Sequence, residues 1–412
     1  MRLVCFVLIV LFSGCLAADQ QASNGGPSLL ETRLKSLGYV DHVEEEQSPV
    51  NTGVTLYNPY LSVKGLNLFT PFMTSEAYLM DMGGEVVHSW SRDNIGVWEH
   101  VMLDGDGNLL AVPAPGELKN LMKLDSDSTP IWVKNGPYHH DVWASGGGRV
   151  YALSFKVIRN MSVAEGFGNL TDPYLMDKRI DAGIDVIEVF DNNGSLVDTI
   201  SLMEPLAGYV PESKLREYVD LEVEDFVDVF HINTVEVLDR DIGVAGKGDI
   251  MVCSLLINMV AILDAETKEV LWSWGPGIID SPHKPTLTEE GNILVFDNGA
   301  RRNYSRVLEV DPADKSIVWE YARDPKNLFF SRTRGSAQPL PGGNVLISET
   351  NKGHVFEVTR DGEVVWEYWS PFFNDAGERR LIYRMTRITP EMLGGMRFEP
   401  GLRDKIHGAG YL

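Results

Sequence analysis

The chain has 412 residues, 44% hydrophobic and 23% charged, a composition that excludes general disorder. Its 36 Lys+Arg against 59 Asp+Glu give a net charge of −23, which argues against a nucleic-acid partner or an anionic membrane surface. A small anionic substrate stays open, because a local cluster of His and Arg can oppose the global charge.

Residues 1–18 read MRLVCFVLIVLFSGCLAA: Arg2, an apolar run over Leu3–Phe12, then small residues. A membrane span needs ~20 apolar residues, so the run is too short to cross a bilayer and reads as a secretory signal. Cleavage near Ala17 or Ala18 is one reading. Lipidation of Cys15 after Ser13-Gly14 is the other, and would tether the protein to a membrane. Both imply a secreted or periplasmic protein.

Residues 19–53 are rich in Ser, Gly and Glu and read as a flexible leader, with a turn or two of helix at LETRLKSLGYV. Cys5, Cys15 and Cys253 are the only cysteines, so no disulfide framework is expected. Cys253, inside DIMVCSLLI, reads as a buried small hydrophobe. Asn160, Asn169, Asn193 and Asn303 begin N-x-Ser/Thr triplets, which matter only in a eukaryotic secretory pathway.

From residue 54 to 412 one pattern recurs: an alternating apolar strand, an Asp, a turn, then a second strand ending near Trp. The six copies are YLMDMGGEVVHSW (78–90), MKLDSDSTPIW (122–132), IEVFDNNGSLVDT (187–199), AILDAETKEVLW (261–272), LEVDPADKSIVW (308–319) and FEVTRDGEVVW (356–366). Each reads as a β-hairpin. Trp90, Trp132, Trp272, Trp319 and Trp366 close five of them, 42 or 47 residues apart where no insertion intervenes, and Thr199 closes the third.

A second strand type lies between the hairpins: GNLLAV (107–112), GRVYAL (148–153), GDIMVC (248–253), GNILVF (291–296) and GNVLIS (343–348), each preceded by a short segment. Four strands per repeat of this length predict an all-β chain forming a six-bladed β-propeller. GLNLF (65–69) and LIYRMTRIT (381–389) are expected to close the ring, the tryptophans to pack between blades, and 203–230 to be a partly helical insertion.

Innermost strands line a propeller's axis, so residues at equivalent repeat positions converge there. His140 and His283 share one register against the Gly-led strand that follows, and His231 opens the corresponding segment of a third blade. The first segment offers Glu99 and His100, the fifth Ser336 and Gln338. Asp141, Asn233 and Lys284 follow the histidines closely. There is no H-x-H or H-E-x-x-H spacing, so no metal is read. The set suits acid–base or nucleophilic imidazole chemistry. Arg306, Arg334, Arg384 and Arg387 are candidates to hold an anionic group, with Arg306 ranked last. His139 is set aside, because adjacent strand residues face opposite ways.

In the order HHDVWASGGGRVYAL, HINTVEVLD, WSWGPG, PHKPTLTEEGNILVFDNG with SRVLEVDP, SAQPLPGGNVLISE and YRMTRI, the chain resembles the arylsulfotransferase family from about Gly65 to Arg387. The resemblance implies a six-bladed propeller. It implies transfer of a sulfuryl group from an aryl sulfate to a phenol without the sulfate-donor nucleotide PAPS or any other cofactor, through a transiently sulfated histidine. Carried over by motif, the nucleophile is His283, the supporting histidines are His140 and His231, and the amide partner is Asn233. One departure stands out. The family's strand after HINT carries Ser-Ser-Arg, whose arginine holds the sulfuryl group; here it reads CysSerLeuLeu (253–256). Arg384 or Arg334 is the expected replacement. The competing expectation is a non-catalytic, quinoprotein-like propeller that binds a ligand or a protein.

Overall fold

In five of the six hairpins the Asp before the turn accepts backbone hydrogen bonds from residues two to four further on, and Thr359 takes its place in the sixth. Asp81 takes those of Gly83 and Glu85, Asp125 those of Asp127 and Thr129, Asp191 those of Asn193 and Ser195, and Asp264 those of Glu266 and Thr267. These side-chain turns fix the hairpins, which is why the pattern keeps its Asp where the strands vary.

The computed structural model describes residues 51–93, 96–114, 120–221 and 225–412. The signal, the lipidation site, Cys5, Cys15 and all of the leader before Asn51 lie outside the described residues. Among the described residues the strands form six antiparallel sheets, the blades of the propeller.

From the axis outward, the second blade is Trp98–Leu103, Leu109–Pro113, Asn120–Leu124 and Pro130–Asn135. The fourth is Ile232–Val237, Ile250–Ser254, Met259–Leu263 and Val270–Trp274, and the fifth is His283–Leu287, Ile293–Asp297, Arg306–Val310 and Ile317–Tyr321. The first blade takes Leu66–Pro71, Glu76–Met80 and Val86–Ser91 from the beginning of the ring, and its inner strand, Ile382–Ile388, from the end. That pairing closes the ring as the repeat pattern predicted. The sixth blade has Ser336–Pro339, Val345–Glu349, His354–Val358 and Val364–Trp369, plus a fifth strand, Gly53–Tyr57, on its outer edge.

The third blade departs most from the repeat. Its inner strand is short, Val142–Ala144, while Val150–Ser162 and Arg179–Phe190 run on together past the end of the blade as an arm. Leu196–Ser201 is its outer strand, and Val227–Asp228 pairs in parallel with the arm at Ala182–Gly183. The 203–230 stretch holds helices at Met203–Leu206 and Glu212–Asp220 whose Leu206, Leu215 and Tyr218 join the core beneath the arm.

The tryptophans do pack between blades. Four donate the indole N–H to a backbone carbonyl in the next blade's hairpin turn: Trp90 to Asp125 (3.1 Å), Trp272 to Pro312 (2.9 Å), Trp319 to Arg360 (2.9 Å) and Trp366, across the closure, to Met82 (2.9 Å). Trp90, Trp272 and Trp366 are buried and Trp319 partly so, and each satisfies its one donor. Cys253 is fully buried, as its apolar surroundings predicted.

Candidate active site at the propeller axis

Several chain entries into the inner strands pass through the left-handed region. His140 has φ 57°, His231 49° and Arg334 59°, while Lys284, beside His283, has 40°. Such backbone is uncommon for residues with a Cβ and gathers at functional sites. Here it turns side chains toward the axis.

His140 and His231 meet there, Nε2 to Nε2 at 2.9 Å. On the far side of each ring, Nδ1 faces a carboxylate: Glu99 Oε2 at 3.2 Å from His140 and Asp228 Oδ2 at 2.5 Å from His231. With each Nδ1–H donating to its carboxylate, the Nε2 contact needs one further hydrogen. The two rings therefore face each other across one hydrogen-bonding contact, each backed by a carboxylate.

His283 stands differently. Its Nδ1 donates to Asn298 Oδ1 at 2.8 Å, with the Ser281 carbonyl at 3.2 Å, so Nε2 carries the lone pair. Burial pushes its pKa down to about 3, opposed by the Asn298 bond and reinforced by charge on His140 and His231. Near pH 7 the ring is neutral, with its lone pair on Nε2. Asn233 is buried and donates to the Pro282 carbonyl at 2.8 Å, fixing the chain just before His283.

A second layer supports the histidines. Asp141 receives Arg384 Nη1 at 2.8 Å and lies 3.4 Å from Lys284 Nζ. Burial would raise this carboxyl, but Arg384, Lys284 and His100 hold it at about 2. Glu99 is likewise held at about 2, against burial, by His140 and then Arg334. Arg384 also reaches His100 Nε2 at 3.1 Å, and burial followed by that guanidinium keeps His100 neutral. Tyr383 stacks on His140 with ring centres 6.2 Å apart.

Of the residues singled out from sequence, His140, His231, His283, Asn233, Arg334 and Arg384 gather at the axis. Arg387 does not. It is buried between the first and sixth blades, with Nη1 on Glu357 at 2.9 Å, Nε on Asn67, and its plane over Trp366. Arg306 pairs with Asp297 in an outer strand at 2.8 Å. His139 lies beside this group. It precedes the strand, so strand alternation does not apply, and its ring lies 5.1 Å from that of His140 and faces Asp185. Asp228, Asp185 and Asn298 were missed. Asp228 sits three residues before His231, and Asn298 directly follows the strand paired with His283's strand, which are the signals that could have found them.

Leu255 is buried, its N–H donating to the His231 carbonyl. Arg334 is linked to His283 through a shared partner, Asn298. Its carbonyl accepts from Asn298, the same amide that holds His283, while its Nε lies 3.9 Å from Glu99, the carboxylate that holds His140. Among the described residues no group of three or more His, Cys, Asp or Glu side chains is arranged to hold a metal ion.

Fold and site together define a six-bladed β-propeller with a buried axial cluster of histidines, carboxylates and arginines. The chain belongs to the arylsulfotransferase (ASST) family, whose sequence profile matches residues 118–371. That match supports a sulfotransferase-type enzyme; it stops short of Glu99, His100, Tyr383 and Arg384, which ring closure returns to the site. No curated protein matches the chain. Among solved structures it is similar to a protein of unknown function from Bacteroides caccae (13% identity, TM-score 0.47, covering 78% of this chain and 98% of that one). It is also similar to virginiamycin B lyase from Staphylococcus aureus (9% identity, TM-score 0.42, covering 81% and 88%). Neither likeness bears on the chemistry.

Proposed function

We propose that the protein is a PAPS-independent sulfotransferase that moves a sulfuryl group from an aryl sulfate to a phenol through a sulfated His283. The observation that carries this is the fixed orientation of His283: Nδ1 is held by Asn298, leaving Nε2 as the nucleophile beside a pair of histidines in hydrogen-bonding contact. His283 Nε2 attacks sulfur, the sulfur–oxygen bond to the aryl group breaks, and the departing phenolate takes the proton of the His140–His231 pair. The acceptor phenol returns a proton to that pair as its oxygen attacks sulfur and the sulfur–nitrogen bond breaks. Arg334 is the favoured cation for the sulfuryl oxygens and Arg384 the second. Small aryl sulfates and phenols are the expected partners, met after export through the amino-terminal signal.

A second reading is a propeller that binds such a ligand without turning it over; what supports it is the apolar Leu255 at the position to which the resemblance assigns the family's arginine. Incubation with p-nitrophenyl sulfate and phenol decides between them. Release of nitrophenolate, with a gain of about 80 Da on His283 in intact-mass and peptide spectra, is the expected result. No transfer from any aryl donor, and no adduct on His283, leaves the binding reading.

A further inference from the structure

The inner strands run from the histidines toward the opposite end of the ring, and a cavity of ≈ 320 Å³ lies at that end. Met102, Trp143, Ile388, Met392 and Met396 supply its apolar wall, with Arg149 at the rim. None of the site histidines lines it. Trp143 separates the two regions: Lys284, whose ammonium joins Asp141 in the histidine layer, lies 5.2 Å over its ring.

We propose that this cavity is a second, non-catalytic site that binds a small aromatic anion, independently of the transfer chemistry. Its volume falls within the range of small-molecule pockets, about 300–1,000 Å³. An indole and three flexible thioethers suit a flat ring, because methionine adapts its shape and sulfur packs well against aromatic edges. The charge at the rim decides the other end of the ligand. Two carboxylates line the cavity, and both are already matched: Asp104 to Lys123 at 2.7 Å and Asp106 to Arg397 at 2.6 Å. Arg149 is exposed and has no carboxylate partner among the described residues, so the uncompensated charge at the rim is positive. A ring seated against Trp143 and the methionines, with its anionic group turned outward to Arg149, satisfies both parts.

Naphthalene-2-sulfonate tests the proposal, since its carbon–sulfur bond offers no transferable sulfuryl group. Calorimetric titration of the full chain is expected to show a binding event at this cavity that persists in His283→Ala, separate from any event at the histidine layer. Arg149→Glu, at an exposed position, weakens it about tenfold or more. Met392→Trp, at an exposed position of the short helix Pro390–Gly395, fills the cavity from its rim and removes the event, while circular dichroism confirms that both variants stay folded. Absence of binding to the wild type, equal affinity in wild type and both cavity variants, or loss of the event in His283→Ala overturns the proposal.

Discussion

Arg384 and Arg387 stand three residues apart in the same closing strand, both buried and both paired with a carboxylate, yet they belong to different parts of the molecule. An odd separation in a strand puts side chains on opposite faces. One face looks to the axis, where Arg384 meets Asp141 and His100. The other looks into the seam between the last blade and the first, where Arg387 meets Glu357, Asn67 and the Val63 carbonyl. A buried arginine is thus no sign of a binding site until the group it answers is known. Arg387 answers the closure of the ring; Arg384 answers the histidine layer.

Replacing each arginine should separate the two roles. Arg387→Leu leaves Glu357 buried without its partner and is expected to cost about 3–5 kcal/mol of stability, read in a urea titration. Glu357→Gln added to Arg387→Leu should recover part of that loss. The folded fraction of either variant should keep its turnover, and a selective loss of turnover would erase the distinction. Arg384→Gln should do the reverse. Asp141 keeps Lys284 and the backbone N–H groups of Val142 and Val235, so the drop in stability should be the smaller one. Sulfuryl transfer should fall by about 10²-fold, the usual effect of removing one preorganised donor. Arg334→Gln, assayed beside it, shows which arginine the transferring group uses, and the larger fall is expected there.

The smallest effect is a slope. His283 and His139 are held near 3, mainly by burial, against an ordinary value of 6.5. Between those values the unfolded chain binds more protons than the folded one, so stability should decline as pH falls from about 6.5 toward 3. Below about 4.5 the depressed carboxyls of Glu99 and Asp141 add to the loss as protonation removes their pairing. His283→Gln should flatten the upper part of this decline, and an unchanged slope would show that His283 is not buried in the neutral form.

The same two arginines mark how much of the molecule the sequence makes legible. The propeller was readable because five of the six repeats carry a turn-forming Asp, with Thr359 in its place in the sixth, and five carry a seam-filling Trp, so local chemistry and global fold agree from repeat to repeat. The third blade was harder, because strands that continue past the blade look like strands that belong to it. Within the site, His140, His231 and His283 were readable as a shared repeat position. Asp228 and Asn298 were not, since a loop residue's approach to a histidine depends on where the chain returns. Arg387 was drawn to the wrong place because closeness in the chain to Arg384 hid the opposite faces of one strand.

The closing strand also sets an order in time. Leu66–Pro71 is made early and waits for Ile382–Ile388, made more than three hundred residues later, before the first blade has an inner strand. Tyr383 and Arg384 arrive with that strand. Until then His140 lacks the ring stacked on it, and Asp141 and His100 lack their guanidinium. A nascent or truncated chain can hold most of its blades and still have no complete site, so competence for chemistry coincides with completion of the ring.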